Sequence, residues 1–288
     1  MNETHKGINY DLAKAEADKV DEEIIAALQN GNSFRVEAGA GSGKTYSLNK
    51  AIEWLQTNKW AEYRRKKQTV VCITYTNAAV DVIAERLSKD SFILPSTIHS
   101  FAWNAIKQYQ SFLIDIVTND PDFLPDEGDF LKVTEVTYTL GHRYKENGIQ
   151  YLYHDDVLKL FCRLLDNAKF RRVFTDKYPL ILNLILIDEY QDSYKPIIDR
   201  FISFFIAEKK GPQFGFFGDA WQTIYQSNKA CGLIENENLE IIKKGSNFRS
   251  APRIVRLLND LRPDLPQTSA IDGFDGEVIV ITCDDYTG

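Results

Sequence analysis

The chain has 288 residues, of which 44% are hydrophobic and 26% charged, so it is long enough and apolar enough to bury the core of a globular protein. Lys and Arg total 34 and Asp and Glu total 41, which gives a net charge of −7. That balance argues against nucleic-acid binding over the whole surface but permits a local basic groove. The four cysteines form no CxxC pair, which favours a reducing, cytoplasmic setting over a disulfide framework or a zinc ribbon. No run approaches the roughly 18 apolar residues that a membrane span needs.

The first 110 residues alternate between helix-like and strand-like stretches. Apolar residues at helical spacing, β-branched runs and Gly or Pro boundaries predict, in chain order, a helix over 10–31, a strand over 33–41 that enters a Gly-rich turn, a helix over 44–58, a strand over 68–76, a helix over 77–90, and a short strand or turn running into a helix over 95–110. Strands that alternate with helices are typical of a parallel sheet with helices on its faces.

Residues 118–156 interrupt this alternation with clusters of Pro, Gly and Asp and with little helical periodicity. Within them "LKVTEVTYTL" alternates like a strand, and "ENG" predicts a turn between it and "IQYLYH". We therefore expect an insertion with β-structure. The α/β pattern then resumes, with a predicted helix over 155–178, a very apolar strand over 180–189, a helix over 194–210 and a buried strand over 212–220.

The stretch "AGAGSGKT" lies between a predicted strand and a predicted helix, and it matches the phosphate-loop pattern except at its first glycine, where Ala38 stands. Backbone N–H groups in such a loop surround phosphates, the lysine reaches the β- and γ-phosphates, and the last hydroxyl binds Mg²⁺. A chance Gly-rich turn is the alternative, and the strand–loop–helix context argues against it. The residues predicted to bind the nucleotide here are Gly39, Ala40, Gly41, Ser42, Gly43, Lys44 and Thr45, with Thr45 also a metal ligand.

The stretch "LILIDEYQD" ends an apolar strand with two acids, which places their carboxylates at the carboxyl edge of the sheet, where ligands of such folds bind. Asp188 is predicted to hold Mg²⁺, and Glu189 to be the base that activates the attacking water. A solvated strand end would explain an isolated Asp-Glu pair equally well. The phosphate loop in the same chain favours an ATPase site.

Four further stretches accompany these two motifs in the order and spacing of one family. "ITYTNAAVDVIAERL" resembles its TFTNxAA motif, "STIHSFAW" its TxHS motif, "FFGDAWQTIYQ" its GDxxQxIY motif and "SNFRSAPRI" its NYRS motif. Roughly residues 36–255 therefore resemble the first motor domain of the UvrD/Rep/PcrA helicases of superfamily 1. The resemblance implies an α/β fold of the P-loop NTPase, RecA-like type: a parallel sheet flanked by helices, with a small inserted subdomain.

The resemblance also implies roles for residues of the nucleotide site. Gln222 would sense the γ-phosphate, and Gln191 would share in coupling it to the nucleic-acid site. Phe248 would stack on adenine, and Arg249 would contact the γ-phosphate and stabilise charge in the transition state. ATP and Mg²⁺ are the cofactors that follow from this assignment.

The same resemblance implies a path for single-stranded DNA. Tyr75 would contact a base, since an aromatic face stacks on any base without reading its sequence. Taken alone, Tyr75 fits core packing and His99 fits a hydrogen-bonded structural role. The residues implied to line the path are Thr74, Tyr75, Asn77, Thr97, His99 and Tyr225.

The chain departs from the family's pattern in three ways. The segment "DLAKAEADKVDEEI" has no Gln to read adenine, and Ser227 stands where a stacking aromatic is expected, which removes a base platform worth about 1–3 kcal/mol. The implied organisation is a first RecA-like motor domain in two parts, 1–108 and 155–260, a small insertion subdomain over 109–154, and a linker with the start of a missing second RecA-like domain over 261–288. We therefore expect this chain alone to bind nucleotide weakly and to hydrolyse it poorly.

Two functions remain open. The first is an ATP-dependent DNA helicase or translocase, with 3′ to 5′ polarity implied by the resemblance, in DNA repair or in anti-phage defence, where the helicase-like subunit of Gabija systems works with a nuclease partner. The second is a regulatory ATPase that senses DNA ends and binds a nuclease without processive unwinding, which Ser227 and the small insertion favour. A small-molecule kinase would explain none of "TYTN", "TIHS" or "GDAWQTIY".

Overall fold

The computed structural model of the chain describes residues 8–178, 180–224 and 229–280. The strands of this part are, in chain order, β1 Phe34–Ala38, β2 Gln68–Thr74, β3 Ile93–Thr97, β4 Glu127–Gly128, β5 Glu135–Tyr138, β6 Tyr144–Glu146, β7 Ile149–Leu152, β8 Ile181–Asp188, β9 Gln213–Gly218, β10 Glu240–Lys244, β11 Ser246–Asn247 and β12 Thr268–Ser269. Its α-helices are α1 Ile8–Asn30, α2 Lys44–Asn58, α3 Trp60–Lys66, α4 Asn77–Ala84, α5 Ile98–Ile106, α6 Gln110–Asn119, α7 His154–Leu165, α8 Ala168–Lys177, α9 Lys195–Phe201 and α10 Pro252–Leu261.

The main sheet is parallel throughout, with the strand order β10-β1-β9-β8-β2-β3. β2 and β8 are buried runs of aliphatic residues, as strands covered on both faces require. The predicted α/β fold with a parallel sheet flanked by helices is confirmed. Because β1, β9 and β8 are neighbours, the loops that follow them meet at one edge of the sheet.

Each face of the sheet has its own apolar core. One core joins α1 and α2 to the sheet through buried side chains such as Ile24 and Leu55. The other core is aromatic, and it packs α5, α7 and α9 together through Phe101, Phe161 and Phe201. The sheet is thus held rigidly between two helical layers, and the loops at its edge have a fixed support.

A small four-stranded sheet, β4-β6-β7-β5, lies between α6 and α7 and forms the inserted subdomain of the predicted fold class. The predicted turn joins β6 to β7 as an antiparallel hairpin, with Asn147 and Gly148 at φ 53° and 77°, as a two-residue hairpin turn needs. The prediction that this turn joins the 131–140 strand to its successor was wrong. β5 pairs with β7 in parallel, because β6 intervenes and its "YKE" sequence carries no strand signal.

A partly buried bidentate ion pair fastens the insertion to α7. The Arg143 guanidinium donates to both carboxylate oxygens of Asp156, from Nη2 at 2.6 Å and from Nε at 2.9 Å. Asp156, whose side chain is 2% exposed, also accepts from the backbone N of Tyr153 at 3.0 Å and so caps the helix. One carboxylate therefore serves both the start of α7 and the attachment of the insertion.

Several predicted helices end earlier or divide. The helix predicted over 155–178 is two helices, because the Asn167 side chain accepts from the backbone N of Lys169 at 2.9 Å and of Phe170 at 3.2 Å and starts a new one. α4 ends at Ala84 rather than near residue 90, and α9 passes into a π-helical turn over Ile202–Ile206. None of these differences moves the sheet edge.

The chain after β10 turns back over the loop that follows β1. β11 and β12 pair in parallel across α10. The Asn247 amide donates to the Ala40 carbonyl at 2.8 Å, and the Gln267 amide donates to the same carbonyl at 3.2 Å. Further on, the Asp272 carboxylate accepts from the backbone N of Tyr10 at 3.1 Å. Residues up to 272 therefore pack against the first helix and the first loop.

Candidate functional site

The loop between β1 and α2 has the backbone of a phosphate-binding turn. Gly41 and Gly43 adopt φ 77° and 81°, a left-handed conformation that glycine adopts freely. A Cβ on Gly41 would lie 2.8 Å from both the Asn247 Oδ1 and the Arg249 Cβ. Gly43 directly precedes α2, so Lys44 and Thr45 begin that helix and its free N–H groups face the loop.

A closed ring of hydrogen bonds joins the ends of β1, β8 and β9. The buried Lys44 Nζ lies 3.0 Å from the Glu189 Oε2 and 3.3 Å from the Gln222 Oε1. Gln191 donates to the same Glu189 oxygen at 2.8 Å and accepts from the Asp219 N–H at 3.1 Å. The Asp219 carboxylate accepts from the Gln222 Nε2 at 2.7 Å. The predicted site residues in this ring are Lys44, Glu189, Gln191 and Gln222, which come from three separate motifs. Asp219 completes the ring.

Asp188 and Glu189 stand at the end of β8 with different surroundings. Burial, with the neighbouring Glu189 charge, raises the pKa of Asp188 to about 6. Glu189 has φ 46°, an uncommon conformation for a residue with a side chain, which turns its carboxylate toward Lys44. The backbone N–H of Glu189 donates to the Asp188 Oδ1 at 3.1 Å. The two carboxylates therefore face different partners.

The residues predicted to hold Mg²⁺ provide few protein ligands. Thr45 is exposed in the first turn of α2, and Asp188 is partly buried at the strand end. Residues 8–178, 180–224 and 229–280 contain no group of three or more His, Cys, Asp or Glu side chains that could hold a metal ion. One hydroxyl and one carboxylate suit Mg²⁺, which is usually bound by one or two protein ligands, water and substrate phosphates.

A cavity of about 300 Å³ opens beside the loop on the side of α1. Tyr10, Tyr46 and Phe248 line it, and the Tyr10 and Phe248 rings lie edge to face at 6.2 Å. The buried Ser42 hydroxyl also lines it and has no hydrogen-bond partner among the described residues. Aromatic walls beside an unpaired donor fit a nucleotide base and sugar next to the phosphate loop.

The predicted base-contact and γ-phosphate residues lie where the chain crosses that loop. The backbone N of Phe248 donates to the Gly41 carbonyl at 3.0 Å, which holds its ring beside the cavity. Arg249 is exposed, and its backbone N donates to the Asn247 Oδ1 at 3.0 Å. In place of the absent Gln, α1 brings Lys14 and Asp18 to the cavity.

Most residues predicted to line a DNA path lie along the ends of β2 and β3. A second cavity, of about 280 Å³, is lined by Thr74, Tyr75 and His99 together with Asp188. Tyr75 is 49% exposed, and Asn77 is exposed at the start of α4. Asp188 therefore lies between the residues predicted to contact DNA and those predicted to bind the nucleotide.

Thr97 and Tyr225 differ from the other residues predicted to line the DNA path. The Thr97 hydroxyl accepts from the backbone N of Ser100 at 3.3 Å and caps α5, so its side chain has a structural task. Tyr225, like Ser227, lies outside the described residues.

His99 is stacked on a second histidine. Its ring lies 3.5 Å from that of His154 at 19°, and the His99 Nε2 and His154 Nδ1 are buried without hydrogen-bond partners among the described residues. Burial, with repulsion from His154, lowers the pKa of His99 to about 4, against the opposing charge of Asp155. The other ionisable groups that line this cavity are Lys159, Asp188, Asp192, Tyr194 and Lys229. His99 is therefore neutral near pH 7.

Sequence reasoning missed several residues that complete the site. Asp219 lies inside the motif stretch "FFGDAWQTIYQ", so the sequence did offer a signal for this residue. Asn247 and Gln267 hold the loop from outside. Glu37 and Arg262 form a buried ion pair at 3.0 Å, and their separation in the chain gives no pattern to recognise.

Comparison with known proteins gives a consistent set of relatives. A family model described as an AAA domain, AAA_19, matches residues 21–228. The Gabija protein GajB of Bacillus cereus (strain HuB5-5) is 24% identical, over 91% of the chain and 52% of that protein. The ATP-dependent DNA helicase Rep of Buchnera aphidicola subsp. Schizaphis graminum (strain Sg) is 25% identical, over 78% of the chain and 41% of that protein.

A solved structure, the Pif1 helicase from Candida albicans, superposes with a TM-score of 0.41 and 16% identity, over 84% of the chain and 43% of that structure. The chain spans between 41% and 52% of the length of the two curated relatives. Within residues 8–178, 180–224 and 229–280, no helix is long and apolar enough to cross a membrane.

Proposed function

We propose, for a chain that belongs to the AAA_19 family of AAA domains and is a UvrD/Rep-like helicase-type motor domain, that it couples ATP hydrolysis to movement along single-stranded DNA. The observation that supports this most strongly is the ring of hydrogen bonds among Lys44, Glu189, Gln191, Asp219 and Gln222. It joins the residue that would bind phosphate, the base and the two glutamines in one connected group.

The ring suggests how the site would change when a nucleotide binds. Lys44 here neutralises Glu189 at 3.0 Å. Phosphates in the loop would give Lys44 a second anion to neutralise, so the Glu189 carboxylate would become available to take a proton from the attacking water. Thr45 and Asp188 would hold Mg²⁺, which neutralises phosphate charge when it is bound. Arg249, exposed beside Gly41, would add positive charge at the γ-phosphate.

The cavity lined by Thr74, Tyr75 and His99 supports the DNA part of the proposal. Tyr75 offers an exposed ring at the end of β2, next to the cavity that Asp188 shares. Tyr75, which would stack on a base, shares a cavity with the carboxylate that would hold the metal. A change at the nucleotide site would therefore reach the DNA contact over a short distance. The 3′ to 5′ direction, a nuclease partner and a setting in repair or phage defence follow from the family resemblance and are part of this proposal.

The regulatory ATPase remains a second candidate because of one sequence observation. Ser227 replaces an aromatic that would stack on a base. A protein with a weaker hold on the strand would sense DNA and signal to a nuclease more readily than it would unwind a duplex. Displacement of a labelled strand by the full-length protein separates the two functions.

ATP turnover by the full-length protein, with and without single-stranded DNA, tests the main proposal. Glu189→Gln should reduce turnover by at least about 100-fold, since it removes the base. Glu208→Gln is a matched control, because Glu208 pairs with Lys210 on the surface at 3.2 Å, away from the ring. Turnover that DNA does not stimulate, or that survives Glu189→Gln, would contradict the proposal.

A further inference from the structure

Arg262 lies in a mostly buried cluster of charges next to the hydrogen-bonded ring at the ends of β1, β8 and β9. Its side chain is 11% exposed, and it contacts two carboxylates that are almost fully buried, Glu37 in β1 and Asp219 after β9. The Arg262 Nη2 lies 3.0 Å from the Glu37 Oε1, and Nη1 contacts the Asp219 Oδ1. The guanidinium also lies over the Trp221 ring at 5.4 Å. Burial opposes its charge, but the two carboxylates more than compensate and raise the pKa of Arg262.

Among the described residues, no other cation contacts both carboxylates. The Glu37 Oε1 accepts from the Ala220 N–H at 3.1 Å, and its Oε2 accepts from the Tyr190 hydroxyl at 2.7 Å. Arg35 lies 3.4 Å from Glu37 but has no ion pair with Asp219 among those of the described residues. Arg262 is therefore the charge that bridges Glu37 and Asp219, and without it the buried Asp219 would have no cation partner among the described residues.

Asp219 divides its two carboxylate oxygens between Arg262 and the ring. Its Oδ1 is held by Arg262 and by the Trp221 N–H at 3.1 Å. Its Oδ2 accepts from Gln222 at 2.7 Å, and Gln222 in turn accepts from Lys44. Because a carboxylate is planar, the direction in which Arg262 holds one oxygen fixes the direction of the other.

We infer that Arg262 is a positioning residue, which orients Gln222 through the Asp219 carboxylate and so sets the geometry of the ATP site without touching the nucleotide. The inference rests on the proposed function. It adds a contact that lies outside every motif in the sequence and that comes from the end of α10.

The position of Arg262 in the chain gives this contact a further use. α10 begins at Pro252, shortly after Arg249, and ends at Leu261, directly before Arg262. One helix of about 15 Å therefore joins the residue proposed for the γ-phosphate to the residue that holds the sensor segment, 219–224. A shift of α10 would change both ends of the site together.

Arg262→Met in the full-length protein is the first test, since it keeps most of the volume and removes the charge. We expect kcat for ATP to fall by about 100-fold, as for a misplacement of about 1 Å in a catalytic group, while KM changes by less than about threefold. Arg256→Met is the matched control, because Arg256 is exposed on the same helix and pairs with Asp275 on the surface at 3.0 Å. It should leave kcat unchanged.

A second variant, Arg262→Lys, separates positioning from folding. Lysine keeps a positive charge between Glu37 and Asp219, so the unfolding midpoint should lie closer to that of the wild-type protein than the midpoint of Arg262→Met does. The kcat should stay low, since one ammonium group cannot hold the two carboxylates in the forked geometry of the guanidinium. Recovery of kcat together with stability would overturn the inference, as would an Arg262→Met variant with unchanged kcat.

Hydrogen–deuterium exchange supplies a readout that does not depend on turnover. Backbone amides of residues 219–224 should exchange at least about tenfold faster in both Arg262 variants, while those of α2 keep their protection. Unchanged protection of 219–224 would overturn the inference even if the wild-type protein proved to have no ATPase activity. Absent wild-type turnover with faster exchange would instead contradict the proposed function alone.

Discussion

Replacing Gly41 with alanine would add a methyl group at a crowded point of the phosphate loop. The new Cβ would lie 2.8 Å from the Asn247 Oδ1 and from the Arg249 Cβ, in a residue whose φ is 77°. Gly31→Ala is a matched control, because Gly31 has φ 73° and nothing within 4 Å of its Cβ position. The two changes share the backbone cost and differ in the contact.

Two separate free-energy costs contribute to the expected effect, one from the backbone conformation and one from crowding. A left-handed alanine costs about 1–2 kcal/mol, which applies to both variants. Crowding in a packed region adds about 1–3 kcal/mol, which applies to Gly41→Ala alone. If the loop moves to relieve the contact, nucleotide binding weakens by this difference, which corresponds to about 5- to 150-fold in Kd.

Titration with a fluorescent ATP analogue measures this effect directly. Gly41→Ala should raise Kd by at least about fivefold, and Gly31→Ala should leave it within about twofold. Urea unfolding should show both variants destabilised. A Gly41→Ala protein that binds like the wild type and is no less stable than Gly31→Ala would refute the reasoning, since the loop and the segment after β11 would then not constrain each other.

Three further changes test other parts of the molecule. Asp156→Ala should lower the free energy of unfolding by about 3 kcal/mol, because it leaves the Arg143 guanidinium, only 15% exposed, without its partner, whereas Asp176→Ala in an exposed pair should cost at most about 1 kcal/mol; urea unfolding compares them, and equal losses would contradict the first estimate. Tyr75→Ala should weaken single-stranded DNA binding by about 1–3 kcal/mol, and Trp60→Ala, near the opposite end of β2, should not; anisotropy with a labelled oligonucleotide decides. The pKa of His99 is about 4 when folded and 6.5 when unfolded, so the unfolded chain binds more protons between these values and stability falls as pH drops from 6.5 to 4; in thermal melts across that range, His99→Asn should flatten this fall, and an unchanged slope would exclude His99 as its source.

The nucleotide side of the site was largely predictable because its residues follow strands. Lys44 and Glu189 come after apolar strands whose ends any parallel arrangement brings to one edge, and the strand order β1-β9-β8 then brings the two side chains to 3.0 Å. Gln222 was found through its motif. Its neighbour Asp219, in the same motif, was passed over because an acid after a buried strand has many ordinary explanations.

Arg262 and Glu37 could not be predicted from local pattern. Glu37 lies within β1, where a charged residue suggests an exposed face, yet its side chain is 6% exposed. Its burial depends on an arginine 225 positions away, and the sequence contains no feature that pairs them. The wrong connection in the insertion has a similar cause, since β6 is short and polar and is stabilised only by its neighbours in the small sheet.

The return of the chain over the phosphate loop sets a lower limit on the size of a working fragment. The family model ends at residue 228, but the edge strand β10, the Asn247 and Gln267 amides on Ala40, and the tether from Asp272 to the start of α1 all come later. A protein cut at that boundary would keep every loop glycine and lose what holds them in place. The unit that holds the phosphate loop in place therefore extends through residue 272, some forty residues beyond the boundary that sequence similarity marks.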